Sequence, residues 1–190
     1  MKRVAYLGGV NGSGKSAIAD VVSERYSDIT IFHFTRLFLK YLNTKSRARI
    51  QRLPDGQQRR IRTKIFNSKL SNFSTPFGLV EGHYIIPRTG GKSHFLLDDP
   101  YADRFDMFMH IVASPKTILE QMHRDRKELG RRLGYFERDV QILEAIRRRQ
   151  ELSVSMTKKR AKELEIPFLI IRHGTKAAMA KRIHSALIRS

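Results

Sequence analysis

Gly9-Val10-Asn11-Gly12-Ser13-Gly14-Lys15-Ser16 decides how the rest of this 190-residue chain is read. The octapeptide satisfies the G-x-x-x-x-G-K-[ST] pattern at every fixed position. Glycines let the backbone wrap so that successive N–H groups converge on an anion. A helix opening at Lys15 adds the positive end of its dipole. In that arrangement Lys15 reaches the β- and γ-phosphates of ATP, and the Ser16 hydroxyl ligates Mg²⁺. Gly9, Val10, Asn11, Gly12, Ser13, Gly14, Lys15, Ser16 and Ala17 are therefore the expected nucleotide contacts. A glycine-rich turn can match such a pattern by chance, but the flanks argue otherwise. Arg3 to Gly9 reads as a buried strand, with Val4, Ala5, Tyr6 and Leu7 running into glycine. Ile18, Val21 and Val22 recur at helical spacing between Lys15 and about Arg25.

Working outward, Ile29–Phe34, Phe77–Glu81, Asp106–Ala113 and Pro167–Arg172 are further strand-like runs. Between them lie helical stretches at Phe34–Leu42, after Pro115, from near Phe136 to about Leu164, and at Lys176–Ile188. In the last of these, Ala180, Ile183 and Leu187 face inward. Another helix is expected from an Asp55 cap to about Asn72. It carries Ile61, Ile65, Phe66, Leu70 and Phe73 on one face and Arg59, Arg60, Arg62 and Lys64 on the other. Lys45 to Leu53 is too basic and irregular to assign. Strands that are near-continuous apolar runs, alternating with helices, indicate an α/β fold: five parallel strands flanked by helices. One doubly wound domain spans residues 1–190.

Charge is the unusual feature. Lys plus Arg number 37 against 18 Asp plus Glu, a formal net charge of +19. Such a surface attracts polyanions, either nucleic acid or phosphorylated small molecules. The arginines cluster at Arg59–Arg62, Arg131–Arg132 and Arg147–Arg149, and their planar forks match phosphate geometry. Cysteine is absent, which excludes disulfides and thiolate zinc sites. No run of eighteen apolar residues occurs, so no transmembrane helix is expected. Both features fit a cytoplasmic protein.

The acidic partner of the phosphate loop should come from the C-terminal end of another strand. Glu81, in Leu79-Val80-Glu81-Gly82-His83, is the leading candidate, as metal-holding group or as base. Asp98 and Asp99 compete for that role, although a loop or cap explains them better. His83 either touches substrate or is structural. The arginine-bearing stretch from Arg124 to Arg132 contains Gly130 and reads as a mobile lid, with Arg131 and Arg132 over the transferring phosphoryl group. Its bland alternative is a solvated helix end.

Taken in order, several segments resemble the archaeal-type adenylate kinases and related P-loop nucleoside monophosphate kinases. They are the phosphate loop, Gln51-Arg52-Leu53 with Gln57-Gln58-Arg59-Arg60, and Val80-Glu81-Gly82-His83 with Pro87-Arg88-Thr89. Pro115-Lys116-Thr117-Ile118-Leu119 running into Arg124-Asp125-Arg126 completes the set. The resemblance implies sheet order 2-3-1-4-5, a monophosphate-binding region over about 35–75 and a short lid over about 124–138. It places Arg36, Arg52, His83 and Arg88 toward the acceptor, Arg131 and Arg132 in the lid, and His173-Gly174-Thr175 near the adenine.

Three functions compete at this point. The first is an ATP:nucleoside-monophosphate phosphotransferase acting on AMP. The second is an RNA-associated ATPase or end-phosphorylating kinase, for instance in ribosome assembly, motivated by the charge. The third is a kinase for a small hydroxylated metabolite.

Overall fold

Apolar residues occupy consecutive positions in the first strand because both of its faces are covered. The computed structural model describes residues 2–87, 93–129 and 139–189. Its β1 (Arg3–Gly8) sends Val4 and Tyr6 into one apolar layer and Ala5 and Leu7 into the other, as the two-residue period of a strand requires. The remaining strands of the main sheet are β2 (Ile29–His33), β3 (Phe77–Glu81), β6 (Met107–Val112) and β7 (Phe168–Arg172). All pair in parallel, in the order β2-β3-β1-β6-β7. Counted among the parallel strands alone, this is 2-3-1-4-5. Between β3 and β6 lies a short antiparallel hairpin, β4 (Ile85–Pro87) with β5 (Ser93–Phe95), which the sequence pattern does not announce.

The helices are α1 (Lys15–Arg25), α2 (Phe34–Tyr41), α3 (Arg47–Arg52), α4 (Asp55–Leu70), α5 (Pro115–Leu129), α6 (Asp139–Glu163) and α7 (Lys176–Arg189). Ile18 and Val22 of α1 and Ala180, Ile183 and Leu187 of α7 cover one sheet face. The other is covered by an aromatic layer from α2, α4 and the short 3₁₀ turns after β5. There Phe66 stacks on Phe34 at 4.9 Å and on Tyr101 at 4.1 Å between ring centroids. No helix among the described residues is long and apolar enough to cross a membrane.

Three expectations need correction. Asp55 does not cap α4: Pro54 occupies the cap position, and Asp55 is the first helical residue, where its charge still favours the positive helix end. Arg62 does not belong to the solvent face. It is 1% exposed, and its Nε donates to Asp99 Oδ2 at 2.8 Å. The irregular segment before Pro54 contains α3. Arg124 through Leu129 continue α5 as helix. The rest of the expected lid, with Arg131 and Arg132, lies outside the described residues.

The close of β1 explains one glycine. A Cβ on Gly8 would sit 2.0 Å from the Tyr84 ring. That ring spans the sheet top, its hydroxyl 2.8 Å from the Met109 carbonyl and 3.0 Å from that of Tyr6.

Candidate active site

Parallel strands deliver their C-terminal ends to one edge, where the loop after β1 and the carboxylate closing β3 stand. After β1 the chain turns through Gly9, Gly12 and Gly14 at φ of 152°, 77° and 84°, a region open to glycine and strained for other residues. Gly14 is the left-handed residue before α1, so the first N–H groups of that helix face the loop. Gly12 carries a second constraint, since a Cβ there would lie 2.9 Å from the Ile118 carbonyl.

Lys15 is 5% exposed, and its Nζ donates to the Val10 carbonyl at 2.8 Å. Burial pushes its pKa down to about 8, against the attraction of Glu81. Ser13 is also buried, and its hydroxyl has no hydrogen-bond partner among the described residues. A phosphate oxygen in the loop would supply one.

Ser16 Oγ donates to Glu81 Oε1 at 3.1 Å. Pairing of β1 with β3 sets Leu7 opposite Glu81, which brings the carboxylate to the start of α1. Burial pushes the Glu81 carboxyl up. The His33 hydrogen bond and the charge of Lys15 outweigh that, and the net direction is down. His33, paired with Glu81 in register at the end of β2, sets Nδ1 3.3 Å from Glu81 Oε2 and Nε2 3.0 Å from Asp20 Oδ1. Arg36 Nη1 lies 3.9 Å from the same Asp20 oxygen, with its side chain 67% exposed. Neither His33 nor Asp20 was legible as a site residue. The signal available was a histidine closing the strand next to the one that ends in Glu81.

Two side chains bring α6 to this edge. Gln150 clamps Ala113, accepting from its N–H at 3.2 Å and donating to its carbonyl at 3.1 Å. Ser153 Oγ lies 2.9 Å from His110 Nε2. Arg149, beside Gln150, donates to the Ile85 carbonyl at 3.2 Å. Its positive charge lowers the pKa of both Lys15 and His83. Arg147 and Arg148 instead pair with Glu144 on the surface at 2.8 and 2.6 Å. The arginine run thus divides: two residues solvate the helix and the third reaches the hairpin strand at Ile85.

Neither a protein-family model nor a curated protein matches the sequence. Solved structures do. A shikimate kinase from Bacteroides thetaiotaomicron superposes with TM-score 0.64 at 9% identity, over 98% of each chain. A shikimate kinase from Acinetobacter baumannii, in complex with shikimate, gives 0.64 at 14% identity over 100% of this chain and 94% of that one. TT1252 from Thermus thermophilus gives 0.59 at 16%, over 99% and 97%. The fold is that of the P-loop kinases.

Within the P-loop kinase fold, Gly9 to Ala17, Glu81 and His83 stand together at one edge of the sheet. His83 is partly buried, and burial and the Lys15 charge push its pKa down to about 3. His173 and Gly174 follow β7 at the same edge, with the His173 N–H donating to the Val112 carbonyl at 2.8 Å. Arg36 and Arg52 are exposed on α2 and α3, and neither makes a described contact with Lys15, Ser16 or Glu81. Arg88 lies outside the described residues. Asp98 is exposed, and Asp99 is taken up by Arg62, so neither competes with Glu81.

The residues present fit Mg²⁺. A hydroxyl and one carboxylate are hard oxygen donors, and that ion keeps several waters and substrate phosphates rather than an all-protein cage. No cluster of three or more His, Cys, Asp or Glu able to hold a metal occurs among the described residues.

His110 gives the site a measurable pH dependence. It is fully buried, and burial pushes its pKa down to about 4, with the Lys15 charge adding to the shift and a hydrogen bond to the Ile111 carbonyl opposing it. Unfolded, an imidazole takes up its proton near pH 6.5. Between those values the unfolded chain binds more protons, so stability rises with pH across that window. The contribution is complete above about pH 6.5 and lost as pH falls toward 4, about 3 kcal/mol in all. His83 acts in the same direction. Urea midpoints at pH 7 and pH 5 should therefore differ more in the wild type than in His110→Gln.

Proposed function

We propose that the protein transfers the γ-phosphoryl group of Mg²⁺-ATP to a small anionic acceptor, a nucleoside monophosphate and AMP first among these. The observation that carries this reading is the contact of Ser16 with Glu81 beside the buried Lys15, inside a P-loop kinase fold. The loop N–H groups and Lys15 bind and orient the phosphates. Ser16 and Glu81 would hold a hydrated Mg²⁺, which would supply positive charge to the phosphates. Arg149 adds a cation from α6, and Arg131 and Arg132 are assigned to the transferring group. Arg36, Arg52 and Arg88 meet the acceptor's charge, and His83, neutral at pH 7, hydrogen-bonds there without adding charge.

The ionisation of the site favours a phosphate as acceptor. A hydroxyl must lose its proton as it attacks, and the held-down Glu81 and His83 are weak bases. A phosphate monoester, with a second pKa near 6, arrives already ionised. A second reading, a hydroxylated carboxylic-acid acceptor, rests on the shikimate bound in one neighbour.

ADP release from Mg²⁺-ATP, measured with each nucleoside monophosphate, with shikimate and with 5′-hydroxyl RNA, tests these readings. Stimulation by AMP alone supports the first, and stimulation by shikimate alone replaces it with the second. A rate raised only by RNA overturns both. Glu81→Gln keeps the shape and removes the charge. It should raise the Mg²⁺ concentration for half-maximal activity about 10- to 100-fold, with a parallel loss of Mn²⁺ affinity read by electron paramagnetic resonance.

A further inference from the structure

On its solvent side, the seam between α2 and α4 is an open groove. A cavity of about 640 Å³ is lined there by Tyr41, Leu42, Arg59, Arg60, Ile61 and Lys64, among others. A second, of about 230 Å³, continues it past Lys40 and Lys69. Among the described residues, no acidic side chain lines either cavity. Lys40, Arg60, Lys64 and Lys69 are exposed and make no ion pair among the described residues. The Tyr41 ring, 49% exposed, stands among them. Arg59 differs in pairing with Asp99 Oδ1 at 3.1 Å.

We propose that this groove takes a single-stranded segment of nucleic acid. From Gln57 to Lys69 the helix runs about 18 Å at about 1.5 Å per residue, room for a short stretch of backbone along the lysines and arginine. Phosphates meet the unpaired cations. The Tyr41 ring offers a stacking face that every base fits, and Leu42 and Ile61 supply an apolar floor. A duplex keeps its base faces inside the stack and leaves the ring and floor uncovered. An acidic peptide satisfies the cations but brings no planar base to Tyr41. The net charge of +19 draws long polyanions toward the surface, and this groove gives that attraction a place to end. The proposal does not depend on the phosphotransfer reading.

Fluorescence anisotropy with a labelled oligouridylate RNA, over a salt series, tests it. Arg60→Glu with Lys64→Glu should weaken binding about tenfold or more. The log–log salt slope should become shallower by about 0.7 for each phosphate that is no longer neutralised. Tyr41→Ala should weaken binding about fivefold or more, while Tyr41→Phe keeps the affinity. Thermal melts confirm that each variant is folded. Lys181→Glu with Arg182→Glu makes the same charge change at exposed positions of α7 and should leave affinity within about twofold. Equal weakening by the two double variants would reduce the effect to diffuse charge and overturn the proposal. Unchanged binding by Tyr41→Ala, or displacement of the RNA by polyglutamate at matched charge, would overturn it too.

Discussion

Lys15→Ala should lower turnover about a thousandfold or more and leave the protein folded. The ammonium is the buried cation nearest the loop's centre, and its one described hydrogen bond, to the Val10 carbonyl, is a resting contact. In the proposed reaction, that charge meets the oxygens that gain negative charge in the transition state. Removing a single preorganised donor of this kind costs about 10²–10³ in rate, and the full positive charge here puts the effect at the upper end. Stability should move little. Holding the charge inside at pH 7 costs about 3 kcal/mol, from a pKa displaced to about 8. The three methylenes removed with it contribute about 2 kcal/mol in the other direction. A melting temperature within a few degrees of wild type, with single-turnover phosphoryl transfer abolished, is the expected pair of results. Near-normal turnover would remove the phosphate site from Lys15.

Asp99→Ala should show the reverse pattern, a large loss of stability at a residue remote from the loop. Asp99 is 1% exposed and meets Arg62 Nε at 2.8 Å, Arg59 Nε at 3.1 Å and His94 Nε2 at 3.3 Å. Burial pushes its carboxyl up, but the His94 hydrogen bond and the Arg62 charge override that and hold it below the usual carboxylate range. Truncating it strands the Arg62 guanidinium in the aromatic layer, with Gln58 Oε1 at 3.5 Å and His94 Nε2 at 3.1 Å as remaining neighbours. Breaking a buried pair costs about 3–5 kcal/mol. For a chain of this size that is a fall in melting temperature of about 6–20 °C. Arg62→Met in the Asp99→Leu background replaces both charges with apolar volume and should recover much of the loss. If Asp99→Ala melts within about 2 °C of wild type, the pair is not buried in solution.

The architecture was legible because its signals are local and periodic. Val4, Ala5, Tyr6 and Leu7 in succession announce a strand covered on both faces, and the loop that follows admits few alternatives. The contacts of single side chains were harder to read. Arg62 sits beside Ile61 and Ile65, at the margin of the apolar stripe, where one step around the helix decides between water and core. Its partner is thirty-seven residues away, so spacing gave no warning. The one clue was an acid placed among Phe95, Leu96, Leu97 and Tyr101. Arg149 was obscured in a run of three arginines. Glu144 stands three and four residues before Arg147 and Arg148, which pairs those two and leaves the third without a partner on its own helix. The β4–β5 hairpin escaped because its strands are three residues each, too short for alternation to register.

The junction at Asp99 has a consequence for how the molecule breathes. It joins the middle of α4, the second strand of the hairpin and the turn ahead of Tyr101 through side chains alone, with the aromatic layer packed behind it. In deuterated solvent, backbone amides in these three segments should exchange together, at the rate of one shared opening. The ends of α3 should exchange earlier and independently. α4 then belongs to the frame of the molecule, and it opens to solvent only when the hairpin and the turn ahead of Tyr101 open with it.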